Sequence, residues 1–125
     1  MLHTDLFATF LALTDLRPPK VPEESLGFAT LLADAHAPYP RDHAYAEIFV
    51  SRRPDELTGC YDRAVRGERF KLIRLLGEPD ALYDLQNDPR ERDDLMKEDG
   101  PLPQDASAVL PQLETWMNTY EGLGQ

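Results

Sequence analysis

Cys60 is the only thiol in the chain, and a catalytic thiolate needs a nearby base or a cationic setting. Its neighbours Gly59, Tyr61 and Asp62 supply neither, so a spectator thiol is expected. His3, His36 and His43 show no H-x-x-x-H or related ligand spacing, which leaves them as solvated histidines with no metal role. The acidic run Asp84, Asp88, Glu91, Asp93, Asp94, Glu98 and Asp99 has the hard oxygens that calcium prefers. An EF-hand loop counted from Asp84 requires glycine at position 89 and glutamate at position 95, where Pro89 and Leu95 stand. The run therefore reads as a helix start followed by a solvated face. Arg52, Arg53, Arg63, Arg66, Arg69, Lys71 and Arg74 gather positive charge in a short stretch. Such a patch could hold an anionic ligand, though pairing with acids across a sheet is the commoner use. No glycine-rich phosphate cradle, nucleophile elbow or H-E-x-x-H occurs, so no catalytic or metal-binding residue is assigned.

The elements that must position these side chains follow from periodicity. Leu2, Leu6, Phe10 and Leu13 recur at helical spacing, with Phe7 and Leu11 one step round, and predict an opening helix that ends before Pro18. Residues 17–44 hold Pro18, Pro19, Pro22, Pro38 and Pro40 and read as a long irregular connection with one short turn near residues 28–33. So long a connection suggests a segment that lies against something else. Residues 44–50 predict a strand, residues 63–66 and 69–76 a hairpin turning at Gly67 and Glu68 in a type II′ geometry, and residues 81–85 a further strand. Asp88, Pro89 and Glu91 have the arrangement of an N-cap, a first helical position and a capping-box acid, so a short acidic helix is expected after them. Ala106, Val109, Leu110, Leu113, Trp116, Met117 and Tyr120 predict a closing helix that stops at Gly122. In that helix Pro111 either makes a kink or confines the regular part to the residues after it. The expected fold is α+β: a small antiparallel sheet of three or four strands covered by the C-terminal helix, with an N-terminal helix and a proline-rich connection. Two parts are expected, residues 1–43 and residues 44–125.

The 125 residues suit one small domain with one core. An apolar share of 42% and a charged share of 29% argue against wholesale disorder, while 11 prolines favour short elements and loops. With 13 Lys and Arg against 23 Asp and Glu, the net charge is −10, which repels phosphate backbones and anionic lipid headgroups. Nucleic-acid and membrane partners are therefore not expected. The apolar run at residues 6–13 has Asp5 where a signal peptide would carry positive charge, and it falls far short of the roughly 20 residues of a membrane span. As the chain stands, a cytoplasmic location is expected, in keeping with a single cysteine.

The run Arg63-Ala-Val-Arg-Gly-Glu-Arg-Phe-Lys-Leu-Ile73, followed by Ala81-Leu-Tyr-Asp-Leu-Gln-Asn-Asp-Pro-Arg-Glu91 and Leu95, resembles the C-terminal part of the sulfatase family, in the alkaline phosphatase superfamily. There a hairpin R-x-V-R-x-x-x-Y/F-K-L-I precedes L-Y-D-L-x-x-D-P-x-E-x-x-N-L. Tyr83, Asp84, Asp88, Pro89 and Glu91 match unchanged, Phe70 and Lys71 fill the aromatic and lysine positions, and Asp94 stands where asparagine is usual. The opening Asp5-Leu6-Phe7-Ala8-Thr9 resembles the family's V-D-L-x-P-T-x-L-x-L-A-G segment, with Ala8 for proline and Asp15 for glycine. Leu110-Pro-Gln-Leu-Glu-Thr-Trp116 is similar to the closing helix.

This resemblance implies hydrolysis of sulfate esters by a formylglycine made from C/S-x-P-x-R, beside a calcium-type divalent ion held by Asp and Asn. Neither Cys60 nor Ser25, Ser51 or Ser107 opens that motif, so this chain is expected to hold no cofactor and to be inactive alone. Three roles remain open. The chain is a C-terminal piece that completes the fold and pocket of a sulfatase, with a separately encoded or missing catalytic domain as partner. Alternatively it is an independent acidic binding module that kept the fold, or an enzyme of another type that uses the basic patch. Within the first role, sulfate, phosphate and phosphonate esters remain alternatives, because related hydrolases share a similar tail. Tyr83, Asp84, Asp88 and Glu91 are expected to be architectural, and Arg52 and Arg53 are the candidates for facing a substrate pocket. Without a catalytic domain, the Leu6, Phe10 and Leu13 face would be exposed and self-association is expected.

Overall fold

The computed structural model describes residues 3–16, 25–50, 60–97 and 100–121. The chain divides into two compact units, Met1–Ala44 and Tyr45–Gln125.

In the first unit, α1 (His3–Thr14) packs with a short helix α2 (Ala29–Ala33). Asp15 closes α1 in the left-handed region, at φ 52°, a helix-ending conformation usually taken by glycine. The faces of α1 are inverted from the usual arrangement. Asp5 and Thr9 are buried, whereas Phe7, Phe10, Leu13 and Leu16 are exposed.

In the second unit, β1 (Ala44–Val50), β2 (Cys60–Arg66), β3 (Phe70–Arg74) and β4 (Ala81–Asp84) form a sheet of order β1-β2-β3-β4, followed by α3 (Gln104–Glu121). The β2–β3 and β3–β4 pairs are antiparallel, and their register aligns Val65, Leu72 and Leu82 in one row. Alternating side chains put that row on one face, where it is fully buried with Leu113, Met117 and Ala106 of α3. Phe70 belongs to the same core, and Trp116 packs against it half-buried. Tyr120 near the end of α3 stacks on Tyr45 with ring centroids 4.2 Å apart. The α+β architecture with a sheet covered by a C-terminal helix is therefore present.

Two local expectations need correction, and one pair of alternatives is decided. Gly67 donates its N–H to the Phe70 carbonyl at 3.0 Å, so the turn residues are Glu68 and Arg69, one step later than expected, and Gly67 has no positive φ. A Cβ there would make ordinary van der Waals contact, 3.4 Å from the Trp116 ring and 3.7 Å from a Leu113 methyl, so space alone does not require glycine. The short helix expected to start at Asp88 is absent from residues 88–97, since Glu91 sits at φ 54°, which a right-handed helix cannot continue through. At Pro111 the helix is not confined to later residues. α3 runs through it, with the ring on the exposed side.

The outer edge of β4 is closed by the segment after it. Leu95 donates its N–H to the Leu82 carbonyl at 2.9 Å, and the Leu82 N–H donates to Asp94 Oδ1 at 3.0 Å. An edge strand is thereby paired and cannot template another chain. Among the described residues, no helix is long and apolar enough to cross a membrane.

Candidate functional site

The basic and acidic residues of the second unit converge around the hairpin end. Arg69, one of the two turn residues, donates from Nε to Asp84 Oδ1 at 2.8 Å and from Nη2 to Asp84 Oδ2 at 2.5 Å. Its Nη1 lies 2.6 Å from Asp105 Oδ2 in the first turn of α3, and its guanidinium stands 4.6 Å from the centroid of the Phe70 ring. One arginine thus ties β4 and the start of α3 to the hairpin. Asp84 also accepts from the Gln86 N–H at 3.1 Å and from Asn87 Nδ2 at 2.7 Å. The Arg69 hydrogen bonds hold the Asp84 carboxyl well below the ordinary carboxylate range, and Asn87 and Gln86 add to this. Hydrogen bonding to Asp84, with Asp105 beside it, raises the guanidinium in turn.

Asp88 Oδ2 accepts from the Arg92 N–H at 2.5 Å and the Asp93 N–H at 3.0 Å. A helix N-cap would take donors two and three residues on, so this carboxylate closes a loop instead. The Asp93 and Arg92 donors lower its pKa. Glu91 turns away and receives Lys71 Nζ at 2.9 and 2.7 Å across the sheet. On β3, Arg74 pairs with Asp80 at 2.8 Å and reaches Asn118 of α3 at 3.2 Å. Three members of the basic patch read from sequence, Arg69, Lys71 and Arg74, are therefore held in ion pairs that tie the turn and β3 to β4 and its flanking loops.

A cavity of about 390 Å³ lies over this assembly, lined by Arg69, Asp84, Asn87, Asp88, Asp93 and Asp105 with apolar walls. Four of these six residues are carboxylates, and the one guanidinium is shared between two of them. A sulfate or phosphate placed there would meet net negative charge, so the cavity does not suit an anionic substrate. Nor do the described residues hold three His, Cys, Asp or Glu side chains grouped as a metal site. The calcium-type ion implied by the resemblance finds no fitting donor set in them.

The first unit holds a polar cluster that sequence reasoning missed. The Asp5 carboxylate receives Arg41 through Nη2 at 2.5 Å and Nε at 3.2 Å, and the Leu26 N–H at 3.1 Å. Thr9 Oγ1 accepts from the Phe28 N–H at 3.0 Å while donating to the Asp5 carbonyl at 2.7 Å. A polar pair at positions i and i+4 therefore binds the proline-rich connection to the helix. The signal was present in the D-L-x-P-T likeness, where both Asp5 and Thr9 match.

Of the remaining candidates, His36 is exposed and His43 pairs its ring with Asp42 at 2.6 Å, which lowers the Asp42 carboxyl. Cys60 opens β2. Arg63 and Arg66 lie on β2 opposite Arg74 and Lys71. Arg52 and Arg53 fall outside the described residues. Among the described residues, these contacts tie elements together and pair no nucleophile with a base.

Comparison with known proteins agrees with that architecture. A family model described as "N-sulphoglucosamine sulphohydrolase, C-terminal" matches residues 1–118. The chain is similar to a crystal structure of a sulfatase candidate from Bacteroides thetaiotaomicron VPI-5482, at 25% identity and a TM-score of 0.73. That match covers 93% of this chain and 23% of the other. BT4656, solved in complex with its substrate D-glucosamine-2-N,6-O-disulfate, has the same fold over 94% of this chain and 23% of its own, at 20% identity and a TM-score of 0.66. No curated protein matches. The chain thus spans less than a quarter of the length of these solved structures.

Proposed function

Because the chain belongs to the N-sulphoglucosamine sulphohydrolase C-terminal family, we propose that it completes the fold and substrate pocket of a sulfuric ester hydrolase and is not catalytic alone. The observation that carries this reading is the family match over residues 1–118 in a chain that covers only 23% of the sulfatase-like structure it resembles. The nucleophile and the divalent ion would come from a catalytic part outside these 125 residues, on the same polypeptide or a separate one. When bound there, they supply attack on the ester and polarisation of the sulfate.

The residues of this chain then position and do not react. Arg69, Asp84, Lys71, Glu91 and Asp88 hold the hairpin, β4 and the following loop in one arrangement. A fixed scaffold is what lets a neighbouring loop present side chains to a substrate with small positional error. Arg52 and Arg53, in the segment after β1, are our candidates for that contact, since a guanidinium matches the paired oxygens of a sulfate. The substrate class we put forward is a sulfated amino sugar, on the family's description and on the substrate of BT4656.

The test is to assay the purified chain on an aryl sulfate with and without calcium. No turnover is expected. Metal-dependent turnover that disappears in Cys60→Ala would make the chain an enzyme in its own right.

A further inference from the structure

The buried side chains of the two units differ in kind. Among the described residues of Met1–Ala44, only Asp5 and Thr9 are buried, at 0% and 3% exposure, and no apolar side chain joins them. Leu6, Ala8, Phe28 and Leu31 reach no more than half-burial. In Tyr45–Gln125 the buried set is mainly apolar, with Val65, Leu72, Leu82, Leu113 and Met117 removed completely from solvent. Apolar burial is the main force that resists opening, so the first unit depends on its polar contacts to stay closed.

Those contacts converge on one residue. The Asp5 carboxylate accepts from Arg41 Nε and Nη2 and from the Leu26 N–H. Its backbone carbonyl accepts from Thr9 Oγ1, which leaves an oxygen lone pair of that hydroxyl for the Phe28 N–H. The side chains of Arg41 and Asp5 are 6% and 1% exposed, so solvent screens their pairing little. Taking away one charge of such a pair leaves the other buried and uncompensated, which is far more destabilising than losing an exposed pair. Between the two anchored amides, Gly27 lies close along α1, where a Cβ would stand 3.3 Å from the backbone carbon of Ala8. Residues 25–41 thus act as a strap fastened to α1 at Leu26, Phe28 and Arg41. We infer that α1 and this strap form an opening body of their own, closed by the Asp5 carboxylate, which can release residues 25–41 while the sheet and α3 stay folded. Segments that rearrange without global unfolding are those with few buried apolar contacts, a property that the first unit has and the second lacks.

Hydrogen exchange of the 125-residue chain, read amide by amide at neutral pH, tests this. The reference amides are Leu82 and Leu95, which donate to Asp94 Oδ1 and to the Leu82 carbonyl in the second unit. In the unaltered chain, Leu26 and Phe28 are expected to share one opening, with protection at least tenfold lower than that of Leu82 and Leu95. Asp5→Asn keeps the side-chain shape and removes its charge. It should lower protection at Leu26 and Phe28 by a further tenfold or more and leave Leu82 and Leu95 unchanged. Leu31→Ala, which trims a half-buried apolar side chain of α2, should have a smaller effect. If Asp5→Asn unfolds the first unit outright, complete loss of protection there with the second unit unaltered is the same result in its strongest form. An equal loss at all four amides would show a single cooperative body and overturn the inference. Unchanged protection at Leu26 and Phe28 in Asp5→Asn, or a larger loss in Leu31→Ala, would overturn it by assigning the closure to apolar contact.

Discussion

Asp84 shows how one side chain can be legible in a motif while its work is not. The L-Y-D-L likeness marks the residue, but its partner Arg69 is fifteen positions earlier, and Asp105 joins from α3. Because Arg69 holds the Asp84 carboxyl below the ordinary range, the stabilisation is complete above the unfolded pKa of about 4 and is lost as pH falls below it. A melting series from neutral pH to about pH 2 should therefore show a steep acid decline. In Asp84→Asn the neutral melting temperature should drop and the acid decline should flatten. An equal acid slope in both proteins would contradict the pairing. Asp94 makes a second residue-scale case. Its Oδ1 accepts from the Leu82 and Met96 N–H groups, each at 3.0 Å, whereas its buried Oδ2 accepts no hydrogen bond and lies 3.7 Å from Lys97 Nζ. An asparagine keeps the Oδ1 bonds and removes a buried charge, so Asp94→Asn should match or exceed the parent in chemical denaturation. Asp94→Ala leaves the Leu82 N–H unsatisfied and should cost about 1–3 kcal/mol.

At the scale of elements, strands were easier to read than helix ends. β1 to β4 follow from alternation of branched and aromatic residues with polar ones, and the Val65, Leu72 and Leu82 row follows from that alternation. The helix expected after Asp88 failed because an aspartate capping a helix and an aspartate closing a loop look alike in sequence. What separates them is the long-range bond from Lys71 to Glu91 and the left-handed Glu91 backbone, neither of which local spacing encodes. The hairpin turns one residue later than its glycine suggests, because the strand register pairs Arg66 with Lys71 and Gly67 with Phe70, and register is set across the sheet and not by the local residue types. Helix α1 ends in a left-handed residue that carries a Cβ, although the sulfatase-like pattern has glycine at that place. Asp15→Gly should relieve that strain and stabilise the first unit by about 1 kcal/mol, read as slower hydrogen exchange along α1. Faster exchange would show that the aspartate side chain supports the turn.

For the molecule as a whole, the apolar spacing of α1 predicts a helix correctly but does not say which side faces inward. The buried side is polar, because the connection supplies backbone donors and Arg41 to Asp5 and Thr9. Phe10 and Leu13 lie on the exposed side of the helix. The ion pairs of Arg69, Lys71 and Arg74 serve architecture, and the cavity over Arg69 and Asp84 carries net negative charge in its lining. The central claim is that this chain assists chemistry done elsewhere. Its most direct test is the steady-state hydrolysis of an aryl sulfate by a separately expressed sulfatase catalytic part, with and without the chain. The account predicts no turnover by the chain alone and an increase in kcat/KM of at least tenfold when the chain is added. Equal activity of the catalytic part with and without the chain would contradict it.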